Sequence, residues 1–168
     1  MKDNLDMLNW FSRSPQSDSV VITGASTGIG AACALALDKL GYRVFAGVRL
    51  PADGERLQQQ AGPRLMPIRL DVTDTASISA ASHTVAAMVG ERGLAGLVNN
   101  AGIGVAGPIE LLPLADWRRQ FEVNVFGLIA VTQTFLPLIR QGRGRIINMG
   151  SIAGRASMPF MAPYAASK

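Results

Sequence analysis

The sequence has very few of the side chains that hold metals or form disulfides. Among 168 residues there is one cysteine, Cys33, and one histidine, His83. A lone cysteine excludes a disulfide within the chain, and two isolated ligands cannot complete a zinc site. We therefore predict no bound metal. Cys33 is expected to be a small buried helix residue, and His83 to have a solvated or packing role.

Charge is also sparse. Charged residues make up 17% of the chain, the formal net charge is +4, and the basic residues are scattered. No basic run with interleaved aromatic residues is present, so we predict that nucleic acid is not a partner. Hydrophobic residues make up 48%, which is enough for a sizeable core and argues against disorder.

Long apolar segments are missing as well. Residues 1–6 carry acidic side chains, which is not typical of a secretory signal. The longest apolar stretch, 126–139, is interrupted by polar residues and by Pro137, and we predict that it is too short and too polar to span a bilayer. The expectation is therefore a cytoplasmic protein without a membrane span.

From residue 19 onward, short apolar runs alternate with stretches of helical periodicity. The predicted strands are 20–22, 42–48, 65–70, 94–99 and 145–149, and the predicted helices are 29–40, 51–62, 74–89, 114–141 and 163–168. This alternation indicates right-handed crossovers and a parallel sheet covered on both faces. We predict an α/β fold, a Rossmann-type doubly wound sheet in three αβα layers. Residues 19–168 would form this dinucleotide-binding domain, and 1–18 an N-terminal extension.

A glycine-rich loop follows the first predicted strand and opens the first helix. Gly24 permits a tight turn, Gly28 lets the backbone approach a pyrophosphate, and Gly30 lets the helix pack close to the sheet. The helix N-terminus offers free N–H groups and a positive dipole to phosphates. Gly-Lys-Ser/Thr is absent, which disfavours a P-loop nucleotidase, and an ordinary turn is the alternative. The residues assigned to the phosphates are Gly24, Ser26, Thr27, Gly28, Ile29 and Gly30.

The residues that follow the second and third strands indicate which nicotinamide cofactor is preferred. NAD enzymes usually place an acidic residue after the second strand, whereas Arg49 follows that strand here. An arginine can pair with a 2′-phosphate, so the cofactor is predicted to be NADP, or NAD less favourably, unless Arg49 is only a solvated side chain. Asp71 and Val72 are predicted to meet the adenine edge, with a turn or capping role for Asp71 as the alternative.

The fourth strand ends in Asn99-Asn100-Ala101-Gly102. Asparagine side chains at this place can tie neighbouring strand ends together. Ala101 and Gly102 leave room for a ribose beside the backbone. We therefore assign Asn99, Ala101 and Gly102 to cofactor binding.

Tyr164 and Lys168 lie four residues apart at the start of a helix, so their side chains share one face. A neighbouring ammonium favours the phenolate form of a tyrosine, which would make the pair a usable acid/base near neutral pH. Lys168 can also hold the nicotinamide ribose. Ser151 follows the fifth strand, and its hydroxyl can bond the substrate oxygen. Asn124 lies inside a helix, where it either holds a water near Lys168 or bends the helix.

In order and spacing, these segments together resemble the short-chain dehydrogenase/reductase family. The resemblance implies a catalytic tetrad of Asn124, Ser151, Tyr164 and Lys168, with hydride transfer between a nicotinamide and a carbonyl or alcohol carbon. It also implies a homodimer or homotetramer. The stretch 99–140 is similar to the hydroxysteroid and retinol dehydrogenase-like branch, which points to an apolar alcohol or ketone as substrate.

Members of this family continue beyond the residue that matches Lys168. The expectation is therefore a fragment that ends after the fifth strand and is inactive or nearly so, from an active parent protein. Two other functions use a similar loop, a non-catalytic dinucleotide-binding regulator and a methyltransferase. The first usually lacks the tyrosine or the lysine, and the second has no use for Ser151, Tyr164 and Lys168.

Overall fold

A computed structural model describes residues 18–168, and almost all of the predicted N-terminal extension lies outside that range. Five strands form one sheet in which every pairing is parallel. The strands are β1 Ser19–Ile22, β2 Arg43–Val48, β3 Leu65–Arg69, β4 Gly96–Asn99 and β5 Arg145–Asn148.

The order of the strands across the sheet is β3-β2-β1-β4-β5. Val21 of β1 is paired with Phe45 on one side and with Leu97 on the other. From β1 the chain therefore adds β2 and β3 on one side of the sheet, and then β4 and β5 on the other side. Such a reversal leaves a crevice beyond the carboxyl ends of the two central strands, which is where doubly wound sheets bind their ligands.

Six α-helices are present among the described residues. They are α1 Gly28–Lys39, α2 Pro51–Gln58, α3 Thr75–Val89, α4 Leu114–Phe121, α5 Leu128–Gln141 and α6 Ala162–Ala166. The predicted helices and strands are all found, with ends that differ by a few residues. The start of α3 is an example, because the Asp74 carboxylate accepts from the backbone N–H groups of Ala76 and Ser77 at 2.9 and 3.2 Å and so caps the helix.

Alternate side chains of the central strands enter two separate hydrophobic clusters, one on each face of the sheet. Val21 and Phe45 pack with α3 and α5, whereas Val20 and Ile22 pack with α1 and α2. Both clusters are built from fully or nearly fully buried hydrophobic side chains, and the first includes Phe45 and Phe135. The structure therefore confirms the doubly wound αβα architecture in three layers.

The long helix predicted over 114–141 is continuous but not uniform. Its middle segment, Glu122–Gly127, is π-helical and joins α4 to α5. A π-helical turn contains one extra residue, which rotates the side chains on either side of it relative to each other, and such turns often occur at functional sites. Asn124 lies in this segment and is buried.

The same helix contradicts one prediction. Leu114–Gln141 spans 28 residues with a mean hydropathy of 1.5 in its most apolar window, and so is long and apolar enough to cross a membrane. The expectation that this region is too short and too polar was wrong. A single helix of this kind is weak evidence, because core helices meet the same criteria. Val131, Phe135 and Ile139 do lie in the core between this helix and the sheet.

Candidate functional site

The loops that follow β1 and β4 are hydrogen-bonded to each other at the point where the strand order reverses. The Thr23 hydroxyl accepts from the backbone N–H groups of Asn100 and Ala101 at 3.0 and 2.9 Å. Gly24 has φ +64°, and a Cβ on it would lie 2.8 Å from the Cα of Ala101. Only glycine meets both conditions, so the tight turn predicted at Gly24 is present and brings the two loops into contact.

Gly30 lies close to the residues that follow β1 and β4. A Cβ on Gly30 would collide with the carbonyl oxygen of Gly24 and with the side-chain amide of Asn100. That amide donates to the carbonyls of Thr23 and Gly24, both at 3.0 Å. Gly30 therefore lets α1 approach the sheet closely at the carboxyl ends of these two strands.

The first turn of α1 is open to a ligand. Thr27 is the N-cap, and its side chain makes no capping hydrogen bond. Gly28 has φ +58°, and a Cβ on it would meet nothing within 4 Å. The N–H groups of a first helical turn have no partner in the helix, so this end of α1 has the free donors that the predicted phosphate site requires.

A cleft of about 520 Å³ extends from this turn along the carboxyl edge of the sheet. Nine of the predicted cofactor residues line it, namely Gly24, Ser26, Thr27, Ile29, Arg49, Asp71, Val72, Ala101 and Gly102. Its other lining residues are Gly47, Leu70, Thr73, Asn100, Ile103, Arg119 and Val123. Arg119 could not be predicted as a lining residue, because nothing local in the sequence indicates that α4 reaches this edge.

Asp71 and Arg49 face the same end of the cleft. Burial raises the pKa of the Asp71 carboxyl, but hydrogen bonds from Thr73 and the charges of Arg49 and Arg69 outweigh that effect, so the pKa is lower than usual. The Thr73 bonds come from its N–H at 3.0 Å and its hydroxyl at 2.8 Å. Asp71 therefore has the predicted turn role and also lies in the cleft.

Asn99 is not among the residues that line the cleft. Its side chain is 3% exposed and donates to Asn148 and to the Thr132 hydroxyl, both at 2.9 Å. It therefore ties the ends of β4 and β5 together, as expected of asparagine here, but the structure does not place it against a cofactor.

Asn124 is bonded to the loop after β4. Its carbonyl accepts from the N–H of Ile103 at 2.9 Å, and its amide donates to the carbonyl of Ile103 at 3.0 Å and to the Ser167 hydroxyl at 2.9 Å. The helix is distorted at Asn124, as one alternative expected. The side chain reaches Ser167, between Tyr164 and Lys168, which is the region where the other alternative places it.

Tyr164 and Lys168 lie close to each other, and neither is among the residues that line the cleft. The Lys168 ammonium is 6.0 Å from the centre of the Tyr164 ring, and it donates to the Met149 carbonyl at 2.9 Å. A Cβ on Gly102 would lie 3.4 Å from the Lys168 nitrogen and 3.4 Å from the Asn124 carbonyl oxygen. Gly102 therefore lies between the cleft and a polar cluster that comprises Asn124, Ser151, Tyr164 and Lys168.

Ser151 lies in the loop after β5. Its hydroxyl accepts from the Ala153 N–H at 3.2 Å and so caps the short helical turn Ile152–Gly154. A Cβ on Gly154 would collide with the backbone of Lys168. The turn that Ser151 begins is thus packed directly against the end of α6.

Comparison with known proteins identifies the class. The model of the short chain dehydrogenase family matches residues 18–168. The chain belongs to this family, and the resemblance stated from the sequence is confirmed.

Two curated relatives are much longer than this chain. Retinol dehydrogenase 5 of Mus musculus is 45% identical over 143 residues, which are 84% of this chain and 45% of the relative. The 17-beta-hydroxysteroid dehydrogenase type 2 of Homo sapiens is 42% identical over 154 residues, 89% of this chain and 40% of the relative. The chain thus spans less than half of either protein.

Solved structures agree with the fold. An NAD⁺-bound xylitol dehydrogenase has a TM-score of 0.85 at 28% identity, over 93% of this chain and 61% of its own. A gluconate 5-dehydrogenase from Burkholderia cenocepacia, in complex with NADP and tartrate, has a TM-score of 0.80 at 30% identity, over 92% and 63%.

Proposed function

We propose that the protein carrying this chain is an NAD(P)-dependent oxidoreductase that interconverts a carbonyl compound and an alcohol. The observation that carries the proposal is the position of Gly102. It lines the cleft that begins at the glycine loop, and it adjoins the Lys168 ammonium and the Asn124 amide. A ligand held by its phosphates at α1 would therefore present its far end to Tyr164 and Lys168.

The residues present fit a dinucleotide. The open first turn of α1 and the Ser26 hydroxyl would hold the diphosphate, and Gly102 leaves room for a ribose beside the backbone. A nicotinamide dinucleotide, when bound, supplies the hydride in reduction and accepts it in oxidation.

The polar cluster would move the proton. Tyr164 would give its hydroxyl proton to the substrate oxygen in reduction and take it back in oxidation, with the Lys168 ammonium stabilising the phenolate. The Ser151 hydroxyl would hold the same substrate oxygen. Asn124 would keep the backbone at Ile103 in place beside them, since it bonds both the N–H and the carbonyl of that residue.

NADP is the proposed preference over NAD. Arg49 is exposed at the end of β2 and lines the cleft beside Asp71, and Arg119 lines the same cleft from α4. Two guanidinium groups in a cleft favour a ligand with an additional phosphate.

The proposed substrate is an apolar alcohol or ketone. The loops after β4 and β5 are joined by a hydrogen bond of 2.8 Å from the Gly107 N–H to the Phe160 carbonyl. They expose large apolar side chains, with Leu111 at 73%, Met158 at 59% and Phe160 at 62%. The names of two relatives refer to retinol and to hydroxysteroids, which are apolar alcohols. Assembly as a homodimer or homotetramer and a cytoplasmic location stay predictions.

Deuteride transfer tests this function. The natural full-length protein is incubated with NADPH deuterated at C4 of the nicotinamide and a panel of apolar ketones and aldehydes, and deuterium in the alcohol product is measured by mass spectrometry. Tyr164→Phe should lower the rate on the order of 10²- to 10⁴-fold, because it removes the acid/base. Tyr42→Phe, just before β2, is the control and should leave the rate unchanged. A Tyr164→Phe protein as active as wild type would contradict the assignment.

A further inference from the structure

Gln120 is a fully buried glutamine of α4 whose amide is bonded in three directions. Its carbonyl oxygen accepts from the Val105 N–H at 2.7 Å. Its NH₂ group donates to the Ile103 carbonyl at 2.7 Å and to the Ser167 hydroxyl at 3.1 Å. Both of its N–H bonds are therefore used, and the orientation of the amide is fixed by a donor at Val105 and an acceptor at Ile103.

The Ser167 hydroxyl is the group through which Gln120 is linked to the Tyr164–Lys168 segment. Its hydroxyl accepts from Gln120 and from Asn124, the latter at 2.9 Å, and donates to the Tyr164 carbonyl at 2.8 Å. A hydroxyl has one proton and two lone pairs, so all of its hydrogen-bonding capacity is used. In the chain, Ser167 lies between Tyr164 and Lys168.

The helix that carries Tyr164 is tied to the cleft wall through Ser167, the residue that follows α6. The Ser167 hydroxyl links it to two amides one helical turn apart, and the same two amides hold the backbone at Ile103, next to Gly102 of the cleft. One set of hydrogen bonds therefore sets the distance between the cleft wall and the Tyr164–Lys168 pair.

We propose that Gln120 is a positioning residue of the active site, which acts through the Ser167 hydroxyl to hold Tyr164 and Lys168 at a fixed place relative to the cleft. This inference rests on the proposed oxidoreductase function and adds to it a residue outside the tetrad. Gln120 is fully buried and does not line the cleft, so its effect would reach the reaction through the geometry of α6 and of the 103–105 backbone.

The test uses two single variants and their combination in the natural full-length protein. Ser167→Ala cuts the link to α6 but leaves the bonds from Gln120 to Ile103 and Val105 intact. Gln120→Met keeps the volume and removes the amide. Matched controls are Gln133→Met, at an exposed glutamine of the same long helix, and Ser79→Ala, at an exposed serine of α3.

Each of the two variants should lower kcat on the order of 10- to 100-fold, the loss expected when reacting groups are misplaced by about 1 Å. The dissociation constant for NADPH should change less than kcat, because the glycine loop is untouched. The double variant should be no slower than the slower single variant, because both changes break one shared link.

The outcomes separate the two proposals. If wild type transfers hydride and Ser167→Ala keeps its kcat while only the unfolding temperature falls, Gln120 and Ser167 are merely structural and the inference is overturned. Losses of kcat that simply multiply in the double variant would also overturn the shared link. If Gln120→Met fails to fold, Ser167→Ala alone decides. A wild-type protein that binds no dinucleotide would overturn the proposed function, and the inference with it.

Discussion

Gly24 has two separate reasons not to tolerate a larger residue. It combines a left-handed backbone, at φ +64°, with a position where a Cβ would lie 2.8 Å from the Cα of Ala101. The obstacle is backbone on a neighbouring strand end, which cannot swing aside as the tip of a side chain can. Gly28 has almost the same backbone conformation, at φ +58°, but open space around it.

These two glycines make a matched pair of variants. Gly28→Ala should cost about 1–2 kcal/mol, the strain of a left-handed L-residue. Gly24→Ala should cost more, because the new methyl also pushes apart the loops after β1 and β4. The measurement is urea unfolding of both variants together with NADPH titration. Equal losses of stability in the two variants would show that the contact between Gly24 and Ala101 is not tight.

Arg49 carries the proposed preference for NADP. In Arg49→Ala the dissociation constant for NADPH should rise roughly tenfold to a hundredfold, because a charge-assisted hydrogen bond is lost, while the constant for NADH should change little. Arg92→Ala is the control, because Arg92 lies in the turn before β4 and does not line the cleft. Equal preference for NADPH and NADH in wild type and in Arg49→Ala would count against Arg49 as the phosphate ligand.

At the scale of elements, α3 depends on its cap. Asp74→Ala should lower the free energy of unfolding by about 1 kcal/mol, because the first-turn N–H groups of Ala76 and Ser77 lose their acceptor. Asp74→Asn keeps an oxygen in place and should restore most of the loss. Thermal unfolding followed by circular dichroism measures both. A loss in Asp74→Asn as large as in Asp74→Ala would argue that charge, and not capping, is responsible.

The elements themselves could be predicted because their signals are local. A buried strand is a short apolar run, and an acidic residue before a helix is its cap. The π-helical turn at Asn124 could not be predicted, since it depends on bonds to Ile103 and Ser167, which are 21 and 43 residues away along the chain. The contact of Gly30 with the Asn100 amide was missed for the same reason, whereas the tie between β4 and β5 through Asn99 was expected.

At the scale of the whole molecule, the proposed function depends on the point between β1 and β4 where the strand order reverses. The glycine loop after β1, the segment after β4 and the turn after β5 come from distant parts of the sequence, and the strand order places them side by side. The cleft begins at the first turn of α1 and reaches Gly102, whose neighbours include Lys168. The central claim is that these parts form one continuous site for one dinucleotide.

Hydrogen–deuterium exchange of the natural full-length protein, with and without NADP⁺, tests that claim most directly. The account predicts slower exchange on binding in three separate segments, 24–31, 99–104 and 162–168, because one ligand would contact the glycine loop and order α6 at its other end. Slower exchange at the glycine loop with no change in 162–168 would mean that the dinucleotide does not reach Tyr164 and Lys168, and would contradict the account.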